Sequence, residues 1–318
     1  HWRLPMTTHT TNNCEDAALV VISYYSRRPI EPLRQLLQSL CERDAGGAFK
    51  VAIVVNRADD SMLNLDFEDL KVDIHYRDNV GMNIGAWDYG WRRYTNFSFA
   101  LFLQDDCYLV RDGWLSALAE KHATGTSGLI GESINTSWNL SWKELRNREK
   151  NVQLPEHNVD GKSANRIDIY LKQFSEWGIL AGQNGLHIRA LSWSIREATL
   201  SAMNGFPIGN NYAECIAAEI AVSKKVQQLG LPLSGFSTLP FHFFRHKEWN
   251  QNVPGGDFTK LSARDREIKS LELQVHHLET TLHTCKKIAG GPKWKLALAA
   301  LRGTLSKSLN EVLSKTVE

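Results

Sequence analysis

Two adjacent carboxylates, Asp105 and Asp106, follow an apolar run from Phe97 to Leu103 and one polar residue, Gln104. Hard oxygen ligands at the end of a strand suit Mg2+ or Mn2+, which take one or two carboxylates and complete their shell with a substrate's phosphates. A cation held there can absorb the charge that a departing diphosphate gains. An isolated Asp-Asp is more often a solvated turn. Here Gly113-Trp114-Leu115 opens a helical pattern directly afterwards, and the order strand, acidic pair, turn, helix favours the chemical reading. Further on, the strand-like segment Leu239–His246 carries His242 and His246. Their even spacing would turn both to one strand face, where a histidine hydrogen-bonded in the core or at its rim is the ordinary reading.

The elements around these residues alternate. Ala17–Ile22 reads as a buried strand, followed by Ser23, Tyr24, Tyr25 and a helix carrying Leu33, Leu36, Leu37 and Leu40, with Pro32 in its first turn where a missing N–H is harmless. Phe49–Val55 is a second strand, ending at Asn56 and Arg57; Val72–Tyr76 is a third, and Phe97–Leu103 the fourth. Continuous apolar strands separated by helices predict a mostly parallel α/β sheet covered on both faces. Ligands of such sheets bind beyond the carboxyl ends of the strands. Gly128–Gly131 reads as a short strand, and helices are expected over 192–203 and from Tyr212 to Leu229, the latter stopped by Gly230.

The run Asn79-Val-Gly81-Met-Asn83-Ile-Gly85-Ala86-Trp87-Asp88-Tyr89-Gly90 lacks the glycine pair one residue apart that a dinucleotide-binding turn requires, which excludes a Rossmann dehydrogenase. Together with the strand-end acidic pair it resembles family 2 glycosyltransferases of the GT-A fold, bacterial polysaccharide and rhamnan-type transferases in particular, over about Ala17 to His246. The resemblance implies a Rossmann-like GT-A domain, a nucleotide-diphosphate sugar as donor, and Mn2+ or Mg2+ as cofactor. It sets Ser23, Tyr24 and Tyr25 at the nucleoside side. Asn56 and Arg57 stand where many members have an acidic residue that reads base or ribose, and Asn79, Gly81 and Asp88 in the donor segment. Gln104-Asp105-Asp106 falls on the DxD-like motif with glutamine in its first acidic position. That match makes Asp106 the metal ligand and Asp105 a contact to ribose or sugar. Some members also place a metal-binding histidine late in the domain, a role for His246 or His242. Inverting transfer needs a carboxylate opposite the leaving group to take the acceptor's proton. The family's Gly-Phe turn and acidic residue eleven positions before a glycine match Gly205-Phe206, Glu219 and Gly230, so Glu219 is the expected base and Glu214 the reserve. Gly182–Gly185 and Ser192-Trp193 resemble the segment that shapes the sugar pocket, with Trp193 stacked on a sugar or buried. No QxxRW string occurs, which favours a distributive enzyme.

With 318 residues, 42% of them hydrophobic, the chain is large enough for a substantial core. A net charge of +2 argues against nucleic acid as a partner. Five widely spaced cysteines without a CxxC pair suit a reducing cytoplasm. The polar opening His1–Asn13 has no signal-peptide core and no initiator methionine, so the natural start is expected upstream. From Lys260 the character changes. Ile268, Leu271, Val275, Leu278, Leu282 and Cys285 form a heptad seam that predicts a coiled coil over 258–289 and a homo-oligomer. After Gly290-Gly291-Pro292, a stripe from Trp294 to Val312 with surplus lysine predicts an amphipathic basic helix over 292–318, lying on the cytoplasmic face of the inner membrane or docked on protein. The expected organisation is a short N-terminal segment, 1–16, then the GT-A domain over 17–256, with a nucleotide-sugar half (17–127) and an acceptor half (128–256), then the two tail elements. The expected acceptor is a glycan or lipid-linked glycan of a bacterial surface polysaccharide such as lipopolysaccharide. Two alternatives stay open: a catalytically inactive GT-A scaffold and a sugar nucleotidyltransferase.

Overall fold

A parallel sheet needs central strands that are apolar on both faces, and the chain supplies three, with a fourth, half-buried strand at the sheet edge. In the computed structural model they are β1 (Ala18–Tyr25), β2 (Phe49–Arg57), β3 (Val72–Asp78) and β4 (Phe99–Gln104). The structure describes residues 12–13, 17–59, 62–63, 65, 67, 70–125, 127–150, 158–159, 162–237 and 241–246. Three further strands complete a seven-stranded sheet: β6 (Leu129–Gly131), β7 (Ser192–Arg196) and β8 (Leu233–Gly235), in the order β8-β6-β7-β4-β1-β2-β3. Only β7 runs antiparallel to its neighbours. A separate antiparallel pair joins β5 (Cys107–Leu109) to β9 (Phe244–His246).

The order has one functional consequence. From β1 the chain steps outward through β2 to β3, then returns to place β4 on the other side of β1. The crevice between the carboxyl ends of β1 and β4 is therefore a topological switch point, where open α/β sheets bind ligands. Helices α1 (Glu31–Glu42), α2 (Met82–Trp91) and α3 (Trp114–Ala123) cover this half. Leu33, Leu36, Leu37 and Leu40 of α1 are buried, as their spacing predicts. Gly90 lets α2 press on the sheet: a Cβ there would stand 2.6 Å from Val21 Cγ1 and 2.8 Å from Val54 Cγ2. The other half carries α4 (Trp142–Glu149), α5 (Arg166–Glu176), the short α6 (Glu197–Ala202) and α7 (Tyr212–Gln228). Gly230, with φ +74°, ends the run after α7 as expected of a left-handed cap.

The expected helix over 192–203 is corrected to strand β7 followed by α6. Ser192-Trp-Ser-Ile alternates small polar and large apolar side chains, the period of a strand, and all four are buried between β4 and β6. The first strand also runs further than its apolar core. Ser23, Tyr24 and Tyr25 stay in parallel register with Val54, Val55 and Asn56, because β2 continues alongside them, while β4 pairs only as far as Ser23. Trp193 is fully buried, its indole N–H donating to the Arg189 carbonyl at 3.0 Å and its ring packed edge-on to Trp87 and Phe206. It is a core residue and not a sugar platform. Apart from Ser237, the described residues belong to one unit, His1–Phe236 with Pro240–His246. The expected coiled coil and amphipathic helix lie outside the described residues. No helix among the described residues is long and apolar enough to cross a membrane.

Candidate active site at the end of the fourth strand

Phe99 to Leu103 are buried on both faces, so the sheet ends where polarity begins, at Gln104, and Asp105-Asp106 form the turn into β5. Three elements converge on that turn. The first is the turn after β1. Its Arg28 Nη1 donates to Asp105 Oδ1 at 2.8 Å and to Asp106 Oδ2 at 3.0 Å. The second is β9, whose His246 lies opposite Cys107 in register, bringing Nε2 to 3.0 Å from Asp106 Oδ2. The third is the segment before β7, held by Gln104, whose amide Nε2 donates to the Ala190 carbonyl.

The two carboxyl groups differ. Asp105 is buried, and burial, reinforced by the charge of Asp106, pushes its pKa up to about 6 against the pull of Arg28. Burial acts on Asp106 in the same direction, but the hydrogen bond and charge of His246 and the charge of Arg28 outweigh it, holding Asp106 below the usual carboxylate value. Asp106 Oδ1 is buried without a hydrogen-bond partner among the described residues. A buried carboxylate oxygen with both lone pairs unused is costly to keep, and a divalent cation would satisfy it. The carboxylate suits Mn2+ or Mg2+, and an imidazole beside it favours Mn2+, since Mg2+ takes oxygen ligands almost exclusively. No group of three or more His, Cys, Asp or Glu side chains among the described residues is arranged as a complete metal cage. A cation here would need phosphate oxygens to fill its shell.

Glu219 lies on α7, and its Oε1 accepts the N–H of Ala190 at 2.9 Å. The same residue's carbonyl is held by Gln104. The expected base and the acidic pair are thus joined through Ala190. Glu219 keeps part of its surface open to solvent while its carboxyl is enclosed. Burial pushes the carboxyl up to about 7 against the Ala190 N–H and the Arg189 charge. A carboxylate poised near neutrality can act as a general base. Glu214 serves elsewhere: with Asn211 it forms the N-terminal cap of α7, its carboxylate accepting from Asn210 N–H at 2.6 Å and Asn211 Nδ2 at 2.7 Å.

The donor-side residues divide in the same way. Ser23 is buried and donates to Asn83 Oδ1 at 3.0 Å, tying β1 to the start of α2, and Trp87 donates to the Leu103 carbonyl at 3.0 Å. Tyr24 donates to the Arg28 carbonyl at 2.7 Å; Tyr25 ends β1 partly exposed. Asn56 is buried with both amide ends engaged, Nδ2 on the Met82 carbonyl and Oδ1 on Arg77, each at 3.0 Å. It fixes the loop carrying Asn79 and Gly81. Asn79 is exposed on that loop, and Gly81 takes φ +76° to cap α2. Arg57 lies 3.8 Å from Asp78 across the strand ends. Asp88 points to the far end of α2, where it accepts from Trp91, Arg92 and the Phe206 N–H. His242 makes its contact through backbone, donating its N–H to Glu132 Oε2 at 2.7 Å, while burial lowers its imidazole to about 4.

Arg28 and Glu132 are site residues that sequence reasoning does not assign, and Gln104, seen there only as a departure from the acidic motif, gains a structural role. Arg27-Arg28, directly after the first strand, was a readable signal. Glu132, buried, accepts from three consecutive backbone N–H groups, those of His242, Phe243 and Phe244, and so fixes the segment that delivers His246.

No family model matches the chain, and no curated protein matches it. Among solved structures it is similar to the mannosyltransferase PcManGT from Pyrobaculum calidifontis in complex with GDP-Man and Mn2+. The identity is 12% and the TM-score 0.44, over 91% of this chain and 69% of that one. It is also similar to S. aureus TarS (13% identity, TM-score 0.43, 82% of this chain and 43% of that one). GalNAc-T7 with UDP, GalNAc and Mn2+ follows (12%, 0.42, 68% and 41%). The chain thus spans less than half the length of TarS and GalNAc-T7. At such TM-scores the likeness carries no argument about activity.

Proposed function

We propose that this chain is a metal-dependent, inverting glycosyltransferase of the GT-A type, moving a sugar from a nucleotide diphosphate to a hydroxyl of a glycan or lipid-linked acceptor. One observation carries the reading. The acidic pair sits at the switch point of the sheet with a buried, unpartnered Asp106 oxygen, and the Glu219 carboxylate is tied through Ala190 to the same strand end. A metal-binding corner and a base near neutral pKa on one scaffold are what such a transfer requires.

Asp106 would hold Mn2+ or Mg2+, joined by His246 for Mn2+, and the ion would neutralise the charge that the diphosphate gains as it leaves. Glu219 takes the proton of the acceptor hydroxyl as that oxygen bonds to the anomeric carbon and the carbon–diphosphate bond breaks. Ala190 N–H holds Oε1, leaving Oε2 for the proton. The heptad seam over 258–289 supports self-association, and the basic amphipathic stripe over 292–318 supports a peripheral place on the cytoplasmic membrane face, near lipid-linked acceptors of surface polysaccharide synthesis.

Calorimetry with UDP and GDP, each with and without Mn2+, tests the reading. Nucleotide binding that tightens at least about tenfold with Mn2+, and loses that gain in Asp106→Ala, supports it. Nucleotide binding indifferent to metal in both proteins overturns it.

A further inference from the structure

Arg28 already sits on the acidic pair that a cation would use, on Asp105 Oδ1 and Asp106 Oδ2, next to the unpartnered Asp106 Oδ1. One guanidinium nitrogen, Nη1, serves both carboxylates, so neither contact has the two-bond fork that makes arginine–carboxylate pairs hard to part. The side chain is 47% exposed. Its backbone is anchored independently, the Arg28 N–H donating to the Tyr25 carbonyl at 2.9 Å and the Arg28 carbonyl accepting from Tyr24 Oη at 2.7 Å. The turn as a whole is tied to β2 through Ser26 N–H on the Asn56 carbonyl and Ala58 N–H on Ser26 Oγ. The side chain can therefore leave the pair while the turn stays in place. It pivots from the carboxyl end of β1, one wall of the crevice whose other wall carries the acidic pair.

A guanidinium and a divalent ion cannot share the same two carboxylates at close range, because their like charges repel within the low-dielectric corner. On the reading of the site given above, the arriving ligand brings both the ion and a diphosphate. A guanidinium is well shaped to bind the diphosphate once released. We propose that Arg28 is an exchangeable counter-cation: it seats on Asp105 and Asp106, yields them to a divalent ion, and then binds the donor's diphosphate across the same crevice. The exchange couples the two ligands. Each alone meets a site poorly set for it, and together they bind in concert, with equal coupling in both directions.

The test uses the full chain with two probes, Mn2+ alone, followed by electron paramagnetic resonance of the free ion, and inorganic pyrophosphate at saturating Mn2+. If Arg28 is seated about nine-tenths of the time, its removal raises Mn2+ affinity about tenfold. Arg28→Met is therefore expected to bind Mn2+ about tenfold more tightly than the wild type and pyrophosphate at least about tenfold more weakly. Arg28→Gln repeats both measurements if methionine at this half-exposed position disturbs folding. Equal or weaker Mn2+ binding in the variants, with Asp106→Asn still abolishing it, overturns the exchange and leaves the site reading intact. Tighter Mn2+ binding with unchanged pyrophosphate affinity overturns the diphosphate half. Failure of wild type and variants alike to bind Mn2+ overturns the site reading and the exchange together.

Discussion

Replacing Glu132 by glutamine tests whether one buried carboxylate fixes the segment that delivers His246 to the acidic pair. Glu132 Oε1 accepts Phe243 N–H at 2.8 Å and Phe244 N–H at 2.7 Å, and Oε2 accepts His242 N–H at 2.7 Å. Burial pushes its pKa up to about 7, opposed by those same three donors, so near neutral pH both protonation states are populated, and in each both oxygens face donors. Glutamine keeps the shape and one oxygen, enough for two of the N–H groups. Its NH2 then meets the third, donor against donor. Leaving one buried donor unsatisfied costs about 1–3 kcal/mol, and for a domain of roughly 150–250 residues each kcal/mol moves Tm by about 2–4 °C. Glu132→Gln should therefore lower Tm by roughly 2–12 °C. Glu132→Ala, which strands three N–H groups and opens a cavity, should cost more than about 3 kcal/mol. Hydrogen exchange over 241–246 should accelerate in the same order, and Mn2+ affinity should fall as His246 loses its bearing on Asp106. A glutamine variant within about 1 °C of the wild type, with unchanged exchange in that segment, would refute the reasoning. The packing of Phe243 and Phe244 against Phe236 would then be what holds it.

Glu219→Gln keeps an oxygen for Ala190 N–H but removes the proton acceptor. Transfer should fall at least about 100-fold while nucleotide binding changes little, and full turnover in the variant would refute the assignment. The wild-type rate should rise with pH through about 7 as Glu219 ionises, and the variant should lack that rise. Because the folded-state pKa is raised, the protonated form is favoured on folding. The stability Glu219 contributes is thus fully present below about pH 4.5 and lost as pH rises through about 7. Wild-type Tm should accordingly fall relative to Glu219→Gln across that window in a thermal scan series. Gln104→Glu, which restores an acid at the first motif position, should destabilise by about 1–3 kcal/mol rather than improve metal binding. It sets a carboxylate against the Ala190 carbonyl that Gln104 now holds, and a stability-neutral variant with tighter Mn2+ binding would show that link to be dispensable. Truncation after Lys287 should abolish flotation with anionic liposomes, and unchanged flotation would sink the membrane proposal.

The sheet was legible because its strands announce themselves locally. Runs such as Leu19–Ile22, Val51–Val55 and Phe99–Leu103 are apolar without interruption and buried on both faces, and α1 shows its stripe at helical spacing. Failure came where two periods overlap. Ser192 to Arg196 is too short to separate strand from helix, and it became a strand because β4 and β6 each offered it a free edge. Asp105 and Asp106 were legible as a strand-end pair. His246 could be placed beside Asp106 only through the β5–β9 register, a pairing of segments far apart in the chain that no local pattern records.

The contacts that sequence reasoning missed share a physical cause. Gln104, Glu132 and Glu219 act on backbone groups of other segments: the Ala190 carbonyl, the N–H groups of His242, Phe243 and Phe244, and the Ala190 N–H. Every residue offers the same backbone, so the partner leaves no trace in the sequence, and a lone polar side chain reads as surface. The donor-side asparagine illustrates the converse. Asn56 has the residue type and strand-end position of a ligand contact, yet both ends of its amide are engaged within the protein. A polar residue at the carboxyl end of a strand in this fold therefore has two uses, to face the ligand or to hold the loop that does. For the carboxylates and amides at these strand ends, unsatisfied atoms separate the two, although buried unpartnered nitrogens also occur elsewhere among the described residues, at Trp114 Nε1, His122 Nδ1 and His242 Nδ1. By that criterion Asp106, with Oδ1 buried and unpartnered among the described residues, faces the ligand, whereas Ser23, Asn56 and Asp88, whose polar atoms are engaged by the chain itself, build the frame around it.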